Sequence, residues 1–429
     1  MIHYQRHVLS NGLRVLLHQD PNTPMAVVNI LYNVGSRDES PDKTGFAHLF
    51  EHLMFGGSKN VPQYDEVVHN AGGETNAFTS PDMTNFYCIM PAANIETALW
   101  IESDRMLHLN INPTSLSVQQ NVVVEEFKET CLNQPYGDVW HKLRALSYQV
   151  HPYRWPVIGL IPEHIEQATL QDVEAFFHKF YHPANAILSI AGGIDAQTLL
   201  PLIQKWFGSI PAGEPYYRNL PPDPPQTEKR TLTVQADVPI DTLYLSFHVC
   251  ERTHPHYPTT DVLNDLLSTG SSARLYQALV KEQPIFSAVH THFYGEFEKG
   301  TLTIEGRLNP GITMQQAEDA VWQVLTQLQT NLITPDELQK SINRVESSMV
   351  FAETNLWMKA FSLAYYEQLG NVEWINTEIT QYDTITAEQI QQIAQQIFTP
   401  QNCSALYYHA QHPQSNEELT ENAALFESA

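Results

Sequence analysis

The sequence predicts an α+β fold: two similar sandwich domains, each a mixed or antiparallel sheet with helices packed on one face, related by internal duplication. Three observations predict it. At 429 residues the chain is too long for one ordinary core. Short strand patterns are mixed with helical periodicity in both halves, which suits a sheet backed by helices. The order strand, helix, helix, strands, long helices also occurs twice, although the residues themselves repeat only faintly.

Taken in order, "LRVLLHQ" (13–19) and "MAVVNILYNVG" (25–35) read as paired strands joined by the turn cluster "DPNTP". A helical pattern follows from Gly45 to Phe55, and "VPQYDEVVHNAGG" (61–73) reads as a second helix closed by glycines. "ETNAFTSPDMTNFYCIM" (74–90) predicts two strands and a turn, and residues 93–110 and 114–132 carry helical periodicity. The second of these opens on "NPTS", a capping residue with proline in the first turn. "NAILSIAGGI" (185–194) is a buried strand. The clearest break is 209–230, with six prolines and little periodicity. It predicts an N-terminal domain over 1–212, a linker over 213–230 and a C-terminal domain over 231–429. Strands then resume at 242–249 and 300–308, with helices near 259–269 and 272–283 and a helical region over 314–398.

The composition is that of a globular protein, 42% apolar and 17% charged. A formal charge of −25 argues against nucleic acid or an anionic membrane as partner. The four cysteines (Cys88, Cys131, Cys250, Cys403) are scattered, so neither a disulfide framework nor a cysteine zinc site is suggested. No stretch reads as a signal peptide or membrane span, and a cytoplasmic location is expected unless a targeting segment was removed.

The chemistry is concentrated in "GFAHLFEHLMFGGSKN" (45–60). On a helix, His48 and His52 point two imidazoles at one spot, and Glu51 sits beside it. Two neutral imidazoles with an open coordination position suit a catalytic zinc ion, and a neighbouring carboxylate can take a proton from water there. The order His-x-x-Glu-His is the reverse of the commoner His-Glu-x-x-His. The bland alternative is a pair of hydrogen-bonded core histidines. Apolar Leu49, Phe50, Leu53, Met54 and Phe55 favour a rigidly held site. A third ligand must come from elsewhere, and "QQNVVVEEFKETC" (119–131) offers Glu125, Glu126 and Glu129.

In these stretches the sequence resembles the M16 peptidases, the family of pitrilysin, insulin-degrading enzyme and the mitochondrial processing peptidase. The resemblance spans "NVGSRDE", the His-x-x-Glu-His helix, "GGETNAFTSPDMTNFY" and "VVVEEFKE". It implies one zinc ion per chain, held by His48, His52 and Glu126, with Glu51 as the catalytic base. Glu126 lies 74 residues after His52, and Glu129 is kept as a supporting residue beside the ligand. Where relatives carry a further glutamate seven residues before the ligand, this chain has Gln119, which can hydrogen-bond but cannot act as a base. The resemblance also implies that an edge strand binds an extended peptide through Asn76, Ala77 and Phe78.

The second half departs from the pattern. Active relatives need an Arg and a Tyr seven apart, and here Val280 and Ser287 stand at those positions. Arg274 and Tyr276 are two apart and read as helix residues. The resemblance therefore implies the zinc-bearing half of a pair: an endopeptidase acting on peptides or unfolded chains enclosed in a dimer chamber. The expected partner is a homologous subunit carrying the Arg/Tyr pair, or else a second copy. Two alternatives stay open: a non-catalytic scaffold of the same family, and an acidic protein that only captures peptides on the edge strand.

Overall fold

The computed structural model describes residues 1–411. The strands are β1 (Gln5–Val8), β2 (Arg14–Gln19), β3 (Met25–Tyr32), β4 (Glu74–Thr79), β5 (Thr84–Pro91), β6 (Ala186–Gly192), β7 (Arg230–Ala236), β8 (Thr242–His248), β9 (Phe286–Tyr294), β10 (Thr301–Leu308) and β11 (Cys403–Ala410). The longer helices are α1 (Phe46–Phe55), α2 (Tyr64–Asn70), α3 (Ile95–His108), α4 (Pro113–Phe127), α5 (Val139–Ser147), α6 (Leu170–Phe180), α7 (Ala196–Phe207), α8 (Tyr257–Ser268), α9 (Met314–Thr330), α10 (Pro335–Ala352), α11 (Leu356–Gln368) and α12 (Ala387–Ile397).

The first sheet runs β1-β2-β6-β3-β5-β4 and the second β7-β11-β8-β10-β9. Strand for strand, β2-β6-β3-β5-β4 corresponds to β7-β11-β8-β10-β9. In both series the first two neighbours are parallel and every later pair is antiparallel. The duplication that the element order suggested is thus written into the topology, and the α+β class holds.

Two compact units divide the chain. The first comprises Met1–Thr130, His151–Pro222 and Ser348–Glu378, and the second comprises Cys131–Val150, Asp223–Ser347 and the described residues from Ile379 on. The domain ranges expected from sequence are linear, whereas each unit includes a segment from the far side of the Pro-rich stretch. In the first unit that segment carries α11, and in the second α5. The reason lies in the strands. β3 is buried at every position after Met25, on both faces of its sheet. Val28, Ile30 and Tyr32 enter the main core, while Val27 and Ala191 pack against Ala360 of α11. In the second unit Val139 and Leu143 of α5 pack on Tyr244, Leu406 and Tyr408. The main helical layer lies on one face, as expected, and one additional helix covers the other face. Among the described residues no helix is long and apolar enough to cross a membrane.

Candidate metal centre

The first unit brings together two helices that are far apart in sequence. α1 is preceded by its N-cap Gly45, whose φ of 89° lies in the left-handed region, and a Cβ there would stand 2.8 Å from the Ile158 carbonyl oxygen. Its first free amides are met by buried Glu39, whose carboxylate accepts from Gly45 N at 2.9 Å and Ala47 N at 2.8 Å. Burial, opposed by these two bonds, pushes the Glu39 carboxyl well above its usual range. Leu49, Phe50, Leu53 and Met54 are buried, and Phe50 stacks on Tyr181 with ring centroids 5.0 Å apart. Each such side chain contributes about 1.5–3 kcal/mol by leaving water, which fixes the rotation of the helix. His48, Glu51 and His52 are left on its half-buried side.

α4 starts at Asn112, whose side chain accepts from Thr114 N and Ser115 N, with Pro113 in the first turn. Leu116, Val123, Val124 and Phe127 bury one side, and Gln120 Nε2 donates to the Ile165 carbonyl at 2.7 Å and the Ala168 carbonyl at 3.0 Å. This seat turns Glu126 toward α1. Its Oε1 lies 3.7 Å from His48 Nε2, and its Oε2 lies 3.3 Å from His52 Nε2. One ligand atom from each of the three residues falls within 4.8 Å of the others, and the imidazole rings stand nearly perpendicular, at 88°.

The electrostatics favour a neutral imidazole at His48. Burial drives its pKa down to about 4, more than Glu126 restores. The bond to His52, against the opposing effect of burial, pulls the Glu126 carboxyl below its usual range. Glu51 is shifted the other way: burial raises it, against a hydrogen bond from Thr79, whose Oγ1 donates to Glu51 Oε2 at 2.6 Å. Two imidazole nitrogens and one carboxylate oxygen make a donor set that could hold a zinc ion. His48 Nδ1 is buried and has no hydrogen-bond partner, so only Nε2 faces the other donors.

The remaining expected residues are placed as follows. β4 is an edge strand, with Asn76 exposed and Ala77 and Phe78 half-buried. Ala77 N donates to Asn76 Oδ1 at 2.8 Å, and the Phe78 ring meets Phe361 of α11 at 5.4 Å. Gln119 is half-buried, its Nε2 3.8 Å from where a Cβ on Gly56 would stand at the end of α1. Glu129 lies apart from the three clustered donors. The helix expected over 114–132 changes after Phe127 into a wider π-helical turn, Lys128–Leu132, and Glu129 sits exposed within it. Glu125 is also exposed and pairs with Lys128 at 2.7 Å. In the second unit Val280 lies in a π-helical turn (Gln277–Glu282) and Ser287 is exposed on β9. Arg274 makes two bonds of 3.1 Å to Glu337.

Sequence reasoning assigned no role to Glu39 or Thr79, although both stand in quoted stretches. Their partners are amides and a carboxylate brought close only by folding. The one local hint is an acid shortly before a helix with no capping side chain of its own.

Comparison with known proteins identifies the family. The family model described as "Insulinase (Peptidase family M16)" matches residues 14–159, and "Peptidase M16 inactive domain" matches 167–345. The chain is 30% identical over 342 residues to the zinc protease PqqE of Helicobacter pylori, covering 77% of this chain and 76% of that protein. It is 26% identical over 406 residues to the uncharacterized zinc protease YmxG of Bacillus subtilis, covering 94% and 97%. Among solved structures, a protease from Helicobacter pylori superposes with a TM-score of 0.89 at 26% identity, covering 95% of this chain and 100% of that one.

Proposed function

The chain belongs to peptidase family M16, and from that premise we propose that it is a zinc-dependent endopeptidase whose ligands are His48, His52 and Glu126 and whose base is Glu51. The observation that carries this reading is the convergence of three donor atoms within 4.8 Å, from helices whose nearest ligands are 126 − 52 = 74 residues apart. Zinc bound there supplies Lewis-acid chemistry, polarising a carbonyl group and making water acidic enough to ionise near neutral pH. Thr79 holds Glu51 Oε2, so the free oxygen Oε1 takes the proton from the attacking water and later delivers it to the leaving amine. The raised pKa of Glu51 suits a group that must both accept and release that proton. A peptide in extended form adds to the free edge of β4, where main-chain bonds at 76–78 give affinity without demanding sequence, and unfolded chains are the substrates that can do so.

Val280 and Ser287 leave this chain without the Arg/Tyr pair that would help stabilise the oxyanion. The working form is therefore a dimer, with a homologous subunit supplying that pair. The same absence, with the match of 167–345 to an inactive-domain model, favours one second reading, a non-catalytic subunit of the family. Peptide cleavage by the zinc-loaded chain, alone and mixed with homologues that carry the pair, separates the two. Glu51→Gln is expected to lower hydrolysis by at least about 10³-fold while zinc and peptide still bind. A Glu51→Gln protein that cleaves like wild type removes the base assignment. Stoichiometric zinc with no cleavage in any mixture favours the scaffold.

A further inference from the structure

Building on the peptidase reading, we infer that Thr79 is a positioning residue: it ties the carboxylate of Glu51 to the strand along which the peptide lies, and so sets the height of the base against any chain paired with β4. Thr79 is the last residue of β4, in register with Thr84 of β5. Its hydroxyl donates to Glu51 Oε2 at 2.6 Å, a short O–H···O bond. Both ends of that bond are anchored. On the helix side, Glu39 fixes the first turn of α1 and the Phe50 stack fixes its rotation. On the strand side, the turn after Thr79 is closed by Ser80 N donating to the Met83 carbonyl at 2.8 Å, and by Asp82 N and Met83 N donating to Ser80 Oγ at 3.2 and 3.1 Å. Asp82 is itself held in a buried ion pair with Arg37 at 2.9 Å and accepts from Tyr153 Oη at 2.5 Å. A β-branched side chain on so fixed a backbone has little χ1 freedom, so its hydroxyl is a stationary donor. The edge strand would thus do two jobs at once. Its 76–78 segment receives the peptide backbone, and its last side chain orients the base that acts on that backbone. Misplacing a reacting group by about 1 Å can cost about 10²-fold in rate.

The test compares Thr79→Val, which keeps the shape and removes the donor, with Thr79→Ser, which keeps the donor. Zinc-loaded full-length protein is assayed on a quenched fluorogenic peptide, with a homologue bearing the Arg/Tyr pair added where wild type needs it. Thr79→Val is expected to lower kcat by about 10- to 100-fold, with KM within about threefold and zinc content unchanged, and Thr79→Ser is expected to restore most of the turnover. A wild-type kcat in Thr79→Val, or a loss confined to KM, overturns the inference. A second readout needs neither zinc nor activity. In zinc-free protein, the melting shifts of Thr79→Val, Glu51→Ala and the double variant should fail to add by about 2 °C or more. Additive shifts overturn the tether by themselves. A wild type that cleaves nothing in any mixture sinks the peptidase reading, while the zinc-free cycle still judges the bond between Thr79 and Glu51.

Discussion

The two sheets share a strand order and differ in what their companion helices carry. α1 follows β3 and presents His48, Glu51 and His52 beside the sheet that ends in edge strand β4. α8 follows β8 in the same place in the series, yet its sequence YPTTDVLNDLLS holds neither histidine nor glutamate. It buries Val262, Leu263, Leu266 and Leu267, and its two carboxylates serve structure: Asp265 pairs with Arg344 at 3.1 Å, and Asp261 accepts from Tyr382 at 2.9 Å. One topology therefore supports a cluster of candidate metal donors in one unit and ordinary packing in the other. The site lies in a few side chains placed on the fold, and the fold alone does not create it.

The largest expected effect tests that difference directly. His52→Ala should release zinc and lower hydrolysis by at least about 10³-fold. Asp261→Asn on the counterpart helix should leave hydrolysis within about threefold and cost about 1 kcal/mol of stability through its bond to Tyr382. Metal analysis and peptide turnover on both variants give the answer. A His52→Ala protein that retains one zinc per chain would place the centre elsewhere.

The same contrast explains what the sequence could tell. α1 is legible because its chemistry depends on spacing within one helix, and the face shared by His48 and His52 follows from helical geometry alone. β3, β4 and β5 are legible from β-branched and aromatic runs between turn residues. The third donor was narrowed by periodicity to one acidic stretch, but the choice among Glu125, Glu126 and Glu129 needed the family pattern. The structure separates them: Glu126 alone joins the two imidazoles, Glu125 pairs with Lys128, and Glu129 falls in the wider turn after α4. What stayed hidden is non-local. α11 and α5 cover sheet faces whose strands lie far away in sequence, and no local pattern names such a partner. β1, β7, β9 and β11 were not expected as strands; β11 is buried at Cys403–Leu406 on both faces, so it lacks the alternation that marks a half-buried strand. Thr79 was invisible for a related reason, since a threonine at a strand end has no meaning until the carboxylate it meets is in place.

A smaller effect concerns acid. Each unit holds a half-buried imidazole whose pKa is pulled below the usual value, chiefly by desolvation: His48 in the first, to about 4, and His248 in the second, where a bond to the Ser147 carbonyl opposes the shift. A folded-state pKa below 6.5 means that the unfolded chain takes up the proton first. The stability from His48 is therefore complete above about pH 6.5 and is lost as pH falls toward 4. The loss should be about 1–3 kcal/mol. Glu126, with its pKa lowered, adds a loss of the same sign at still lower pH. Glu39 and Glu51, with carboxyls raised by burial, contribute with the opposite sign, so the test is a difference: in urea unfolding of zinc-free protein, stability lost between about pH 7 and about pH 4.5 should be smaller in His48→Gln than in wild type, with the contribution of His248 common to both. Equal slopes in the two proteins would mean that His48 is protonated in the fold and is not the ready donor that its burial implies.

The smallest expected effect bears on whether the second unit lacks the arginine function altogether. Arg274 is the one arginine near the family position, and its guanidinium is committed to Glu337 through two bonds of 3.1 Å. That pair keeps 21% and 31% of its side-chain surface exposed, so solvent screens it and its loss should cost no more than about 1 kcal/mol. Arg274→Ala should thus lower the melting temperature slightly and leave peptide turnover within about twofold, whether the chain is assayed alone or with a partner. A tenfold fall in kcat, with the melting temperature moved no further than the ion pair explains, would reverse this reading. Arg274 would then leave Glu337 during turnover, and the chain would supply its own arginine. The division of labour between subunits would no longer be needed to explain Val280 and Ser287.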